Sequence, residues 1–222
     1  MSDKKKPVLI SSLITYHLPL ITYFMSYQNT KAETLTGALF APVDWARGCA
    51  FALAFSLLTA LAAQVAVPLP FTPVPVTMQT FAVLLTGALL GSRLGALAML
   101  LYLIEGASGL PFFASGAGGA HYLFLSPSSG YLISFPVAAF IVGFLTERGW
   151  DRRFLTAAAA MFIGSAVILL VGWAWLARFA GVAQAFVLGV APFLIGDVIK
   201  IALAAAVLPS GWAILRKFSI GK

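Results

Sequence analysis

Long apolar runs separated by short polar breaks make up most of this chain. Six of them, at about 46–67, 76–91, 93–110, 131–146, 155–178 and 191–215, predict six membrane-spanning helices. The breaks are Arg93, the run from Glu147 to Arg153, and a tail holding Arg216, Lys217 and Lys222. The second and fourth runs are shorter than the roughly 20 residues a crossing needs, so they are expected to tilt or to borrow apolar loop residues. A further apolar stretch at 8–27, VLISSLITYHLPLITYFMSY, is interrupted by His17 and Pro19. It reads either as an interfacial segment or as a seventh span. The expected organisation is an N-terminal segment over 1–45 and one six-helix membrane domain over 46–222.

Composition agrees with that pattern. The chain is 61% hydrophobic and 9% charged, with a mean hydropathy of +0.98. Soluble domains carry about 25% charged residues, so this is an all-α integral membrane protein. The net charge of +7 does not point to nucleic acid, because the basic residues sit in short loops and tails. Placing Arg93, Arg148, Arg152, Arg153 and the tail on one side leaves the opposite loops, 68–77, 107–130 and 179–190, almost free of Lys and Arg. The bias predicts a multi-pass protein of the cell membrane with both ends of its six-span core, the C-terminus included, in the cytoplasm. Cys49 is the single cysteine, which excludes an intrachain disulfide.

Small residues recur at intervals of four: Gly87, Gly91 and Gly95, then Ala50 with Ala54 and Ala202 with Ala206. Such stripes let helix backbones approach closely in lipid. They predict packing inside the bundle, or, for Ala50 and Ala54, a docking face for a partner protein. The segment VPLPFTPVPV at 67–76 holds four prolines and cannot continue a helix. Its apolar content, Phe71 included, predicts a partly buried cap. The stretch 106–130, GASGLPFFASGAGGAHYLFLSPSSG, has no charge; glycines including Gly118 and Gly119 allow close backbone approach, and Phe112, Phe113 and Tyr122 give flat apolar surface. It reads as a lid and not as a phosphate loop, since it has no P-loop lysine.

The strongest chemical signal is Asp197 with Lys200 inside APFLIGDVIKIALAAAVLP. An ionisable residue inside a membrane helix costs about 2.5–3.5 kcal/mol, so it is functional by default. Three positions apart, the two share a helical face and can pair with each other or with a polar guest. A span starting near Ala191 puts them in the same half of the bundle as both loops, with Gly196 offering its backbone. Thr77 and Gln79 open the second span and offer hydroxyl and amide contacts, or cap that helix. Glu105 reads as a solvated carboxylate near a span end. His17 and His121 have no metal-ligand spacing. No HExxH, G-x-S-x-G or paired-carboxylate arrangement is present, so no enzyme apparatus is visible.

The run VPLPFTPVPVTMQTFAVLLTGALLGSRLGALAMLLYLIEGASGLPFFASGAGG, followed by GYLISFPVAAFIVGFLTERG and PFLIGDVIK, closely resembles the BioY family. These are biotin-capturing S components of energy-coupling factor (ECF) transporters. The resemblance covers about Ala46 to Arg216. It implies a six-helix S-component bundle, an outward-facing biotin site, and an ECF transmembrane coupling protein and ATPase subunits as partners. No cofactor is then expected in this chain, ATP being used by the partner subunits. Asp197 and Lys200 match the family's biotin-binding pair; Gln79, Gly118, Gly119, Phe112 and Tyr122 complete the expected ligand site, and Ala50 and Ala54 the docking face. Ser126-Pro-Ser-Ser-Gly130 stands where the family has a GPTGG-like turn, and Ile195-Gly196-Asp197 replaces its PGD. An S component for another vitamin, such as thiamine, and an intramembrane enzyme using Asp197 and Lys200 as acid and base are the alternative readings.

Overall fold

Helices cover all six predicted spans in the computed structural model, which describes residues 34–40 and 44–220. A short helix α1 (Leu35–Phe40) precedes α2 (Trp45–Gln64), whose first turn is capped by the Asp44 carboxylate accepting the Arg47 N–H at 2.8 Å. A two-residue ribbon follows, β1 (Ala66–Val67) with β2 (Val76–Thr77). Then come α3 (Gln79–Leu90), α4 (Ser92–Ala107), the short α5 (Ala120–Leu125) and α6 (Ser129–Thr146). The chain ends in α7 (Phe154–Ala180), α8 (Val182–Gly189) and α9 (Ala191–Ile220). Gly91 and Gly181, at φ +85° and +78°, supply the left-handed backbone that ends α3 and α7. The apolar stretch at 8–27 lies outside the described residues.

Among the described residues four helices are long and apolar enough to cross a bilayer: α2, α6, α7 and α9 over 191–215. The second span is short as expected, at 12 residues, but the fourth is not: α6 runs 18 residues, because its first turn begins at Ser129. The third span, α4, is the other short one, at 16 residues. At 1.5 Å per residue α3 is only about 18 Å long. It survives because α2, α4 and α6 surround it, leaving most of its side chains buried.

The glycine stripe is what lets this packing close. A Cβ on Gly87 would run into the backbone of Ala139 in α6, and one on Gly143 into the backbone of Gly91 and Ser92. Gly95 lies against Gly87 in the same way. At this crossing the Glu147 carboxylate accepts the Ser92 backbone N–H at 2.6 Å and its hydroxyl at 2.9 Å. The carboxylate thereby fixes the start of α4 to the end of α6. Ala202 and Ala206 differ from expectation: both are exposed among the described residues. At the same end of the bundle, the Trp212 indole of α9 donates to the fully buried Asp151 carboxylate, and Arg152 lies 4.9 Å over the indole ring. Burial pushes the Asp151 carboxyl up from its ordinary range, with the indole bond opposing it.

At the opposite end, the proline segment closes on itself through the antiparallel pairs Ala66–Thr77 and Val67–Val76. It caps the bundle with Val74, which is buried, whereas Phe71 is 59% exposed. The segment is partly buried as expected, but through Val74 and not through Phe71, whose ring the turn leaves outward. The Thr72 hydroxyl donates to the Leu188 carbonyl of α8 at 2.7 Å, tying the segment to a helix that the hydropathy pattern did not announce. The glycine-rich stretch is not structureless either. It holds a 3₁₀ turn over Ala114–Gly116 and then α5, and the Gly119 N–H donates to the Gly106 carbonyl at 2.7 Å. This fold-back covers the end of α4, where Glu105 is half-buried: its Oε2 is buried and has no hydrogen-bond partner among the described residues.

Candidate ligand-binding site

The proline cap, the start of α3, α5 and the first turns of α6 and α9 enclose a cavity of about 520 Å³, its open mouth included. Its floor is ionic. Asp197 and Lys200, 5% and 7% exposed, lie one turn apart on α9 with Nζ 3.5 Å from Oδ1. Neither is left to its partner alone. Lys200 Nζ donates to the Thr77 carbonyl and to the Thr80 hydroxyl of α3, each at 2.8 Å. Asp197 Oδ2 accepts the hydroxyl of Ser165 on α7. Such a pair, bound on both sides to neighbouring helices, is how a buried charge is tolerated. It joins α3, α7 and α9 beneath the cavity.

The walls are aromatic. Tyr122, Tyr131, Phe135 and Phe193 line the space. Tyr131 is held by its hydroxyl donating to the Gly189 carbonyl at 2.7 Å and by the Phe193 ring 6.0 Å away. Gly172 and Gly189 make room for it, since a Cβ on either would meet the Tyr131 side chain. Tyr122 stacks on Phe113 at 5.6 Å, and Phe113 meets Tyr102 edge-on at 5.7 Å. Flat apolar walls over a paired acid and base suit a small ligand with an apolar body and polar edges.

Of the site residues expected from sequence, Asp197, Lys200, Gln79 and Tyr122 line the cavity together. Thr77 does so too, and its Oγ1 accepts the Gln79 N–H at 3.2 Å just ahead of α3, whose N-cap position is Met78. Phe112, Gly118 and Gly119 stand behind the wall. The Phe112 carbonyl accepts from Tyr102, Gly118 packs against the Leu110 carbonyl, and Gly119 takes φ +92° ahead of α5. Gly196 is an ordinary residue inside α9, so no unwound backbone is offered there. In the substituted turn, Ser128 lines the cavity while the Ser129 hydroxyl donates to the Ser126 and Tyr122 carbonyls. Ala50 and Ala54 lie one turn apart on α2, both exposed. No cluster of His, Cys, Asp or Glu suited to a metal exists among the described residues.

Sequence reading missed Ser165, Tyr131 and Phe193. Ser165 was discoverable: in a 27-residue apolar helix a small polar residue beside a glycine is a mark of an inward face. The two aromatics carried no such sign, since the chain has 18 phenylalanines and 6 tyrosines and their spacing matches ordinary core.

A model of the BioY family matches residues 11–217. A protein of Pyrococcus horikoshii named "Probable biotin transporter BioY" is 46% identical over 69% of this chain and 88% of its own length. The "Biotin transporter BioY" of Rhizobium etli is 38% identical over 69% of this chain and 86% of its own. Among solved structures, the S-component for biotin from an ECF-type ABC transporter superposes with a TM-score of 0.70, covering 80% of this chain and 95% of that one at 24% identity. That likeness carries the fold, an all-α S-component bundle. The family match reaches back to residue 11, so it extends N-terminally beyond the stretch from Ala46 to Arg216 that carries the resemblance. With the match spanning nearly the whole length, the chain belongs to the BioY family.

Proposed function

We propose that this chain is the membrane-embedded biotin-capture subunit of an ECF vitamin uptake transporter and carries out no chemical reaction itself. The observation that supports it best is the Asp197–Lys200 pair beneath an aromatic cavity, in a chain whose relatives bear the name biotin transporter. Biotin's ureido group offers N–H donors beside a carbonyl acceptor. Asp197 accepts from the ureido nitrogen and Lys200 donates to an oxygen, while Gln79 adds an amide contact. Tyr122, with Tyr131, Phe135 and Phe193, closes on the fused rings; Phe112, Gly118 and Gly119 shape the lid behind. The cavity faces outward, which puts the basic loops and the C-terminus in the cytoplasm.

Uptake then proceeds by reorientation of the bundle against a transmembrane coupling protein, with ATP hydrolysed by separate ATPase subunits. The chain itself binds no cofactor. Ala50 and Ala54 are the docking face: two exposed small residues one turn apart allow a partner helix to approach closely. Ala54→Leu is expected to cut co-purification with the coupling protein severely while biotin binding persists; undiminished assembly removes this face from the proposal.

Equilibrium binding of labelled biotin to detergent-purified protein tests the capture reading. Saturable binding displaced by unlabelled biotin but not by thiamine is the expected result. Displacement by thiamine assigns the site to that vitamin, and turnover of biotin by the purified chain supports the enzyme reading.

A further inference from the structure

We infer that Tyr102, which does not touch the cavity, is the positioning residue that fixes which way round Gln79 presents its amide to the ligand. A glutamine amide has nearly the same shape in its two flipped orientations, so its partners alone choose between them. Here the partners form a chain with one direction. The Thr77 hydroxyl donates to Gln79 Oε1 at 3.0 Å. Gln79 Nε2 donates to the Tyr102 hydroxyl at 2.5 Å, and that hydroxyl donates to the Phe112 backbone carbonyl at 3.0 Å.

The last link decides the direction. A backbone carbonyl only accepts, so the single phenolic proton of Tyr102 is spent on Phe112. Toward Gln79 the phenol therefore offers lone pairs alone, and only the amide nitrogen satisfies it. Thr77 could not set this by itself, because an aliphatic hydroxyl rotates to donate or to accept. Tyr102 is 0% exposed, and its ring is wedged between Phe113 and Phe135 at 5.7 and 6.3 Å, so the lock does not drift. With those two bonds made, Gln79, which lines the cavity, keeps one N–H and one oxygen lone pair unspent. That is the complement of an amide- or ureido-type edge, which carries an N–H beside a carbonyl.

This inference rests on the biotin-capture reading, and the test separates the two. Biotin affinity is measured for the wild type, Tyr102→Phe, Gln79→Leu and the double variant, with the thermal unfolding midpoint of each. Removing the phenol hydroxyl leaves a buried amide N–H unsatisfied and the flip free, so Tyr102→Phe is expected to raise Kd about tenfold. In the Gln79→Leu background the same change is expected to cost nothing further. Equal losses in both backgrounds, or no loss in the first, overturn the inference; failure of the wild type to bind biotin overturns the reading beneath it. Gln79→Glu gives a second handle should Tyr102→Phe not fold. It keeps the shape but has no N–H, so it is expected to bind no better than Gln79→Leu. Wild-type affinity for Gln79→Glu would show that the orientation of the amide nitrogen is irrelevant.

Discussion

Asp197→Asn is expected to lose biotin binding by more than about thirtyfold, and Lys200→Met by at least as much. Truncating one partner of a buried, hydrogen-bonded charge pair costs about 2–5 kcal/mol, at 1.4 kcal/mol per tenfold. The two single variants should also unfold at lower temperature, for different reasons. Asp197→Asn leaves the Lys200 ammonium with neutral acceptors alone, the Thr77 carbonyl, the Thr80 hydroxyl and the new amide oxygen. Lys200→Met leaves the Asp197 carboxylate with the Ser165 hydroxyl as its remaining contact. In each case a buried charge has lost its counter-ion. The double variant Asp197→Asn/Lys200→Met separates stability from recognition. Having no buried charge, it should recover much of the lost unfolding temperature while still failing to bind biotin. Calorimetric titration beside thermal unfolding reads both quantities. Retention of tight binding by the double variant would move the recognition of biotin away from α9.

The charged pair was legible because lipid makes it so: nothing polar enters a long apolar run without cause. The same physics exposed the apolar helices, since a helix in lipid must be apolar along its length. What the sequence hid were features whose energetics are indifferent to lipid. The helix α8 is eight residues long with Gln184 in its first turn, too short for a periodic signal, and Gly181 marks its start. The ribbon closing the proline segment is two residues long on each side, too short for any alternation to register. Phe71 and Val74 lie three positions apart in a turn, where no periodicity says which faces inward. The site shows the same division. Asp197, Lys200 and Gln79 stood out by chemistry, while Tyr131 and Phe193 looked like any other core aromatic. Tyr102 was hidden twice over, being aromatic in an apolar helix and outside the cavity it serves.

The glycine stripe supplies the largest expected effect on the fold itself, and Gly143→Val tests it. Gly143 is the point where α6 crosses the turn between α3 and α4; an added Cβ would overlap the carbonyl carbon of Gly91 and the amide of Ser92. Those obstructing atoms are main chain, so no side chain can swing aside. The same turn is pinned by Glu147 to Ser92, which prevents it from sliding away. Relief then requires separating α6 from α3 and α4, helices whose contacts form much of the core. The expected cost is about 3 kcal/mol or more, at the upper end for overpacking, a large share of a typical stability of about 5–15 kcal/mol. Gly48→Ala is the matched comparison. It too lies in a membrane helix, but its Cβ position has no atom within 4 Å. It should change stability by no more than about 1 kcal/mol, and in the stabilising direction, since alanine is the better helix former. Thermal unfolding of the two purified variants against wild type decides the matter. A Gly143→Val protein as stable as Gly48→Ala would mean that α6 does not pack on the α3–α4 turn. A collapse confined to Gly143→Val would establish the stripe, legible at four-residue spacing in the bare sequence, as the feature that holds the bundle closed around its site.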